Sequence, residues 1–123
     1  MATLERSLKA AMEIQGAIGV ALVDYESGMT LGSMGGGAEL DLEVAAAGNT
    51  EVVRAKMRAM DALNLNDIIE DILITLGGQY HLIRLVRSQR GQGLFFYMAL
   101  NKAQANLAMA RRDLQVIERD LQL

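Results

Sequence analysis

The residues whose types could do proton or metal chemistry in this 123-residue chain are one histidine, His81, and three nearby carboxylates, Asp67, Glu70 and Asp71. The strand register derived below sets His81 beside Ile74 rather than beside a carboxylate. Neither a Ser-His-Asp arrangement nor a His-rich metal site can then be built on it, and packing in the core or at a sheet edge is its expected role. Asp67, Glu70 and Asp71 would hold a hard cation only if they converged. Strand alternation throws Glu70 to the face opposite Asp71, which leaves no cage, and local spacing sets up no acid pair for glycoside chemistry. The run Gly32-Ser33-Met34-Gly35-Gly36-Gly37 has the glycines of a phosphate loop, but no Gly-Lys-Ser/Thr follows and the spacing is not a dinucleotide fingerprint. Zero cysteine removes a thiol nucleophile and thiolate metal ligands together. The expectation is a protein that is not an enzyme, with no catalytic residue, cofactor or metal. A sensor or enzyme pocket beside the glycine loop is the minor alternative, because the convergent polar groups it needs are not there.

Length bounds the chain to one domain over 1–123, enough to bury roughly two-thirds of its unfolded surface. At 51% hydrophobic and 22% charged it is globular, and a net charge of -3 gives nucleic acid no footprint. Arg84, Arg87 and Arg90 are locally basic, but aromatic residues make up only 4%. The absence of cysteine suits a reducing cytoplasm, and the absence of proline leaves partners to be met by folded surface. The apolar run Ile14 to Val23 is too short to span a bilayer as a helix, lacks a cleavage site, and reads as a buried strand. No integral membrane contact is expected.

The elements follow from periodicity. Thr3 to Glu13 carries Leu4, Leu8, Ala11 and Met12 on one side, with Thr3 as N-cap, and Gly16 ends this helix. Ala17 to Val23 is apolar on both faces and reads as a central strand. Asp24 to Gly28 is turn chemistry, and Met29 to Ser33 returns as a shorter strand. After the loop Met34 to Gly37, Glu39 to Leu65 is the longest helix. Its polar stripe is Glu43, Ala47, Thr50, Glu51, Arg54, Arg58 and Asp61. The remaining arc, including Ala45, Val52 and Met60, is wider than one sheet can use and implies a second apolar partner. Asn49 and Lys56 interrupt that arc. Lys56 either snorkels to an edge or makes a polar contact across the partner boundary.

Ile68 to Leu76, Gln79 to Arg87 and Leu94 to Leu100 form a β-meander, and Gly77-Gly78 between the first two suits a two-residue type I′ turn with φ > 0 at both glycines. The turn fixes a register in which Ile74 faces His81, Leu73 faces Leu82, Ile72 faces Ile83 and Asp71 faces Arg84. An Asp71–Arg84 pair worth a few tenths to about 1 kcal/mol is then expected. Ser88 to Gly93 is a looser turn, and the continuous apolar run from Leu94 belongs in mid-sheet. Asn101 is the expected cap of a last helix with Ala103, Leu107, Ala110, Leu114, Ile117 and Leu121 on its buried side. Arg111, Arg112, Asp113, Glu118, Arg119 and Asp120 form its wet side.

The fold class is therefore α/β (α+β). Its order is α-β-β-α-β-β-β-α around a five-stranded antiparallel sheet, with the long helix on one face and the terminal helices on the other.

From Leu4 to Leu121, the leading helix, the run Gly16 to Asp24 with its hairpin to Gly28-Met29, the long Ala-rich helix and the meander ending in Asn101 resemble the roadblock / dynein light-chain domain family. The resemblance implies a profilin-like sandwich and a dimer in which the strand Ile68 to Leu76 pairs with its mate while the long helices pack together. It implies a non-enzymatic scaffold or regulator of a Ras-like small GTPase, with a structural subunit that leaves GTP turnover untouched as the alternative. It is similar to bacterial members, some of which accompany a sensor-kinase-like protein. On that basis Ala45, Val52, Lys56, Met60, Ile68, Glu70, Ile72 and Ile74 are the expected homodimer interface. Glu51, Arg54, Arg58 and Asp61 are the expected GTPase-binding surface, and Ile72→Pro is the substitution expected to separate the dimer.

Overall fold

A computed structural model describes residues 2–87 and 93–123. Most of the expected turn Ser88 to Gly93, with Arg90 of the basic trio, lies outside the described residues. The elements are α1 (Leu4–Met12), β1 (Ala17–Asp24), β2 (Met29–Gly35), α2 (Leu42–Ala62), β3 (Asp71–Thr75), β4 (Gln79–Leu85), β5 (Leu94–Asn101) and α3 (Leu107–Asp120). The strands form a five-stranded sheet in the order β2-β1-β5-β4-β3, antiparallel at every pairing.

Apolar residues on both faces make β1 and β5 central, as their continuous runs require. One face carries Val20, Leu22, Leu82, Phe96, Met98 and Leu100 against Leu8, Ala110 and Leu114 of α1 and α3. The other carries Ala21, Val23, Ile83, Phe95 and Tyr97 against Ala46 and Val53 of α2. Thus the long helix covers one face and the terminal helices cover the other. Among the described residues, no helix is long and apolar enough to cross a membrane.

Helix ends depart from the expected limits where side-chain caps decide them. Thr3 caps α1 by accepting the Arg6 N–H at 3.3 Å, as its position before the apolar stripe predicts. α2 starts at Leu42, not near Glu39, because the Asp41 carboxylate accepts from Glu43 and Val44 at 3.1 and 3.2 Å. It stops at Ala62 with Leu63 as C-cap, and Asn64 follows at φ 57°. Asn101 does not cap α3. It ends β5 and accepts the Ala103 N–H at 2.9 Å in a local turn, while Asn106 caps the helix through the Met109 N–H at 3.1 Å. Ala103 therefore falls outside the helix.

The β3–β4 register is the one expected, Asp71↔Arg84 through Ile74↔His81, but its turn is not. The glycines with positive φ do not include Gly77 or Gly78, so the hairpin is not type I′. It is closed instead by the Leu76 N–H donating to the Gln79 carbonyl at 2.8 Å. The first strand of the meander is also shorter than Ile68 to Leu76. Ile68 to Glu70 precede β3, tied to β4 by the Leu85 N–H to Glu70 carbonyl bond at 3.2 Å.

Three side chains sit or pair otherwise than their places in the sequence suggest. Thr50, expected on the polar stripe of α2, is buried with its hydroxyl donating to Ala46 O at 2.7 Å. Glu118, expected on the wet side of α3, is buried with Arg84, Nε to Oε1 3.1 Å. Asp71 pairs with Arg111, Nη2 to Oδ1 2.9 Å, and not with Arg84. Opposite register positions bring the two backbones together, but α3 offers both charges better-aimed partners.

Candidate functional site

The residues weighed for chemistry disperse. At the glycine loop the Gly36 N–H donates to Ile18 O at 2.8 Å and the Gly37 N–H to Gly35 O at 3.1 Å. The start of α2 is already filled by the Asp41 carboxylate, so an anion would meet Asp41 and Glu43 instead of free N–H groups. The glycines serve close packing: a Cβ on Gly36 would lie 2.5 Å from Leu40 O at φ +81°. Among the described residues no group of three His, Asp or Glu side chains could hold a metal ion.

His81 sits at the edge of the core, as its register implies. Its Nε2 lies 2.8 Å from Gln79 Oε1 and its Nδ1 3.1 Å from the Tyr97 hydroxyl, with the two rings edge to face at 5.3 Å. Nothing about it resembles a triad. Burial lowers its pKa from the ordinary value, and burial likewise pushes the Tyr97 phenol up to about 12.

The more informative surface lies where α2 passes the β3 edge of the sheet. Val52, Lys56 and Met60 of α2 line one groove with Ile68, Glu70 and Ile72 beside it, a space of about 520 Å³ completed by Leu65, Asp67, Ile69 and Asp71. Six of the eight residues expected at a dimer interface are thus brought together. Ile74 lies farther along β3 on the same face as Ile72, and Ala45 lies about two turns before Val52 on α2. Large apolar side chains are left uncovered here: Ile68 is 57% exposed, Leu65 50% and Val52 37%. Lys56 is exposed within the groove, whereas Asn49 satisfies itself by donating to Ala45 O at 2.8 Å.

β3 is the outer strand, and its ladder shows which backbone groups are unpaired. The bonds Leu76 N–H to Gln79 O and Leu85 N–H to Glu70 O put the hydrogen-bonded positions at even numbers. Antiparallel alternation then turns the N–H groups of Asp71, Leu73 and Thr75 outward. Ile72, the position chosen from sequence for a proline, instead faces its N–H to β4. No proline or lysine blocks the strand.

Glu51, Arg54, Arg58 and Asp61 are all exposed on α2. Among the described residues no ion pair joins them, since the ion pairs found are Arg84–Glu118 and Arg111–Asp71. Asp61 also rims a larger apolar hollow of about 630 Å³ with Tyr25, Met57, Met60, Ile69 and Leu85. Sequence reasoning missed that hollow, the hold of Arg111 on Asp71 and the Gln79–His81–Tyr97 chain. Gln79 and His81, two apart on a strand and so on one face, were the one local signal. The α3 pairings span 40 and 34 residues and leave no local trace.

This geometry defines a three-layer α/β sandwich with one open sheet edge flanked by an apolar helix. No protein-family model and no curated protein matches the chain. Solved structures do. A Roadblock/LC7 domain from Streptomyces avermitilis superposes at TM-score 0.78, with 11% identity over 96% of this chain and 93% of that one. Myxococcus xanthus MglB superposes at 0.74, with 18% identity over 93% of this chain and 77% of that one. An MglB in a tetrameric arrangement superposes at 0.72, with 12% identity, covering 94% of this chain and 88% of that one. The fold of this chain is the roadblock fold.

Proposed function

We propose that the chain is a dimeric, non-enzymatic regulatory or scaffold protein that binds a Ras-like small GTPase in the cytoplasm of a bacterium. The observation that carries this reading is the open β3 edge beside the uncovered apolar flank of α2, on a fold whose family resemblance implies that pairing. A second copy related by a two-fold axis would pair its β3 with this one and lay its α2 along Ala45, Val52, Lys56 and Met60. The outward N–H groups of Asp71, Leu73 and Thr75 would then be satisfied, and Ile68, Glu70, Ile72 and Ile74 would be covered.

In such a dimer the polar stripes of the two α2 helices share one side of the assembly and offer Glu51, Arg54, Arg58 and Asp61 from each copy. Arginines with no carboxylate partner among the described residues suit a bidentate hold on an acidic partner surface. A sensor-kinase-like protein is a further partner that the resemblance implies. The tetrameric arrangement of one MglB neighbour favours a second reading, a structural subunit of a larger assembly that leaves GTP turnover unchanged.

The test is Arg54→Glu combined with Arg58→Glu, with binding to a Ras-like GTPase from the same cells measured by calorimetry. The dimer and its melting temperature are expected to hold while affinity falls at least about tenfold, or about 1.4 kcal/mol. Unchanged affinity would move the binding surface off α2.

A further inference from the structure

On the α2 side of the sheet, the helix packs mainly over β1 and β2, reaches Ile83 and Leu85 of β4 through Val53, and is parted from β3 by the groove described above. His81 lies on this face toward the β3–β4 turn, half-buried, with Ile74 opposite it on β3 and Ala99 opposite it on β5. It shares the face with Ile83 and Gln79 of its own strand and with Ile72, which packs against the α2-side core. In the proposed dimer a second copy covers Ile72 and Ile74, which brings it beside His81, and the inference rests on that reading.

The hydrogen-bond partners around His81 suit one tautomer of the neutral ring. With Gln79 Oε1 as the acceptor for Nε2–H at 2.8 Å, Nδ1 is left as an acceptor, and the Tyr97 hydroxyl lies 3.1 Å from it. Tyr97 is fully buried, and among the described residues His81 is the hydrogen-bond partner of its hydroxyl. A protonated imidazole would bring Nδ1–H against that O–H, so the phenol would have to turn its proton toward apolar neighbours and leave it unpaired. The neutral ring fits this site better than the cation does.

Tyr97 of β5 is the titratable group bonded to His81. Ile74 and Ala99 of the neighbouring strands carry no charge, while Lys56 of α2, with Asp67, Glu70 and Asp71 around the start of β3, lines the adjoining groove. The downward shift of the His81 pKa has burial as its cause. Covering the ring with a second copy removes more water from it and deepens the preference for the neutral form.

We infer that His81 makes self-association pH-sensitive: the paired state holds a neutral imidazole under the second copy, and mild acid, by charging the ring, drives the copies apart. As the chain's one histidine, it is the side chain whose ordinary titration falls in that range. Each dimer covers two such rings, so the effect acts twice per association.

Sedimentation equilibrium of the full chain at about pH 7.5 and about pH 5.5 tests this, with His81→Gln as the non-titrating variant. The dissociation constant of the unmodified chain is expected to rise at least about tenfold toward acid, and that of the variant to change much less. NMR titration of the imidazole in the unmodified chain is independent of how the variant folds. The ring is expected to titrate at lower pH in concentrated than in dilute protein. A chain that stays monomeric at neutral pH overturns the dimer reading and this inference with it. A dimer whose dissociation constant does not move between the two conditions, or whose histidine titrates alike at both concentrations, overturns this inference alone.

Discussion

Asp71 and Arg84 face each other in the β3–β4 ladder, yet each is held by α3 instead of by the other. Arg111 grips Asp71 with Nη2 at 2.9 Å and Nε at 3.1 Å. Glu118 takes Arg84 Nε at 3.1 Å on one oxygen and the Arg87 N–H at 3.3 Å on the other. Helix α3 therefore pins the outer two strands from the face opposite α2, and holds in place the edge that the proposed dimer uses.

The two pairs differ in cost because they differ in burial. Arg84 and Glu118 are both under water-excluding cover, while the Arg111 side chain is 48% exposed. Glu118→Ala leaves a buried guanidinium unpaired and should cost about 3–5 kcal/mol, whereas Asp71→Ala should cost about 1 kcal/mol or less. Urea unfolding of the two variants checks the order, and an equal loss would contradict it.

Glycine sensitivity should follow backbone conformation and not loop position. Gly35 has φ +80°, and a Cβ there would lie 2.6 Å from Met12 Cε and 2.7 Å from Ile18 O, whereas nothing lies within 4 Å of a Cβ at Gly77. Gly35→Val should cost more than about 2 kcal/mol and Gly77→Val less than about 1 kcal/mol. Thermal unfolding of both variants reads the difference directly.

The strands, their register and the central place of β5 were legible because alternation and turn length act locally. The two-residue spacing of Gly77-Gly78 sets the pairing whatever φ the glycines adopt, so Ile72 meets Ile83 even though the turn type differs. The start of α3 was harder to read because two residues able to cap a helix, Asn101 and Asn106, lie only five positions apart. Glu118 could not be placed from its helix alone, since only the tertiary fold brings Arg84 under it. The residues proposed for the dimer could be named from sequence as one stripe and one strand, but the outward parity of Leu73 over Ile72 needs the ladder bonds.

Burial pushes the Tyr97 phenol up to about 12 from its ordinary value of 10.0. A raised pKa on an acid means that the folded state favours the neutral phenol. That contribution to stability is complete below about pH 10 and is lost as pH rises through about 12. Absorbance titration of the three tyrosines should show one phenolate forming late, and Tyr97→Phe should remove that step. A titration complete near the ordinary value would contradict the burial.

Leu73→Pro is the clean test of the β3 edge, because the N–H it removes points away from β4. The monomer fold should persist by circular dichroism while the dimer dissociation constant rises at least about tenfold, or about 1.4 kcal/mol. Ile72→Pro breaks a bond to β4 and should unfold the edge itself. An intact dimer in Leu73→Pro would place the contact elsewhere.

The central claim, a dimer that binds a Ras-like GTPase through α2, is tested most directly by tagging the full chain in its own cells and identifying what co-purifies. A Ras-like GTPase should be enriched with the unmodified chain and lost with the Arg54→Glu, Arg58→Glu variant, while the untagged copy of the chain co-purifies with both. Recovery of no GTPase, or equal recovery with the charge-reversed variant, would contradict it.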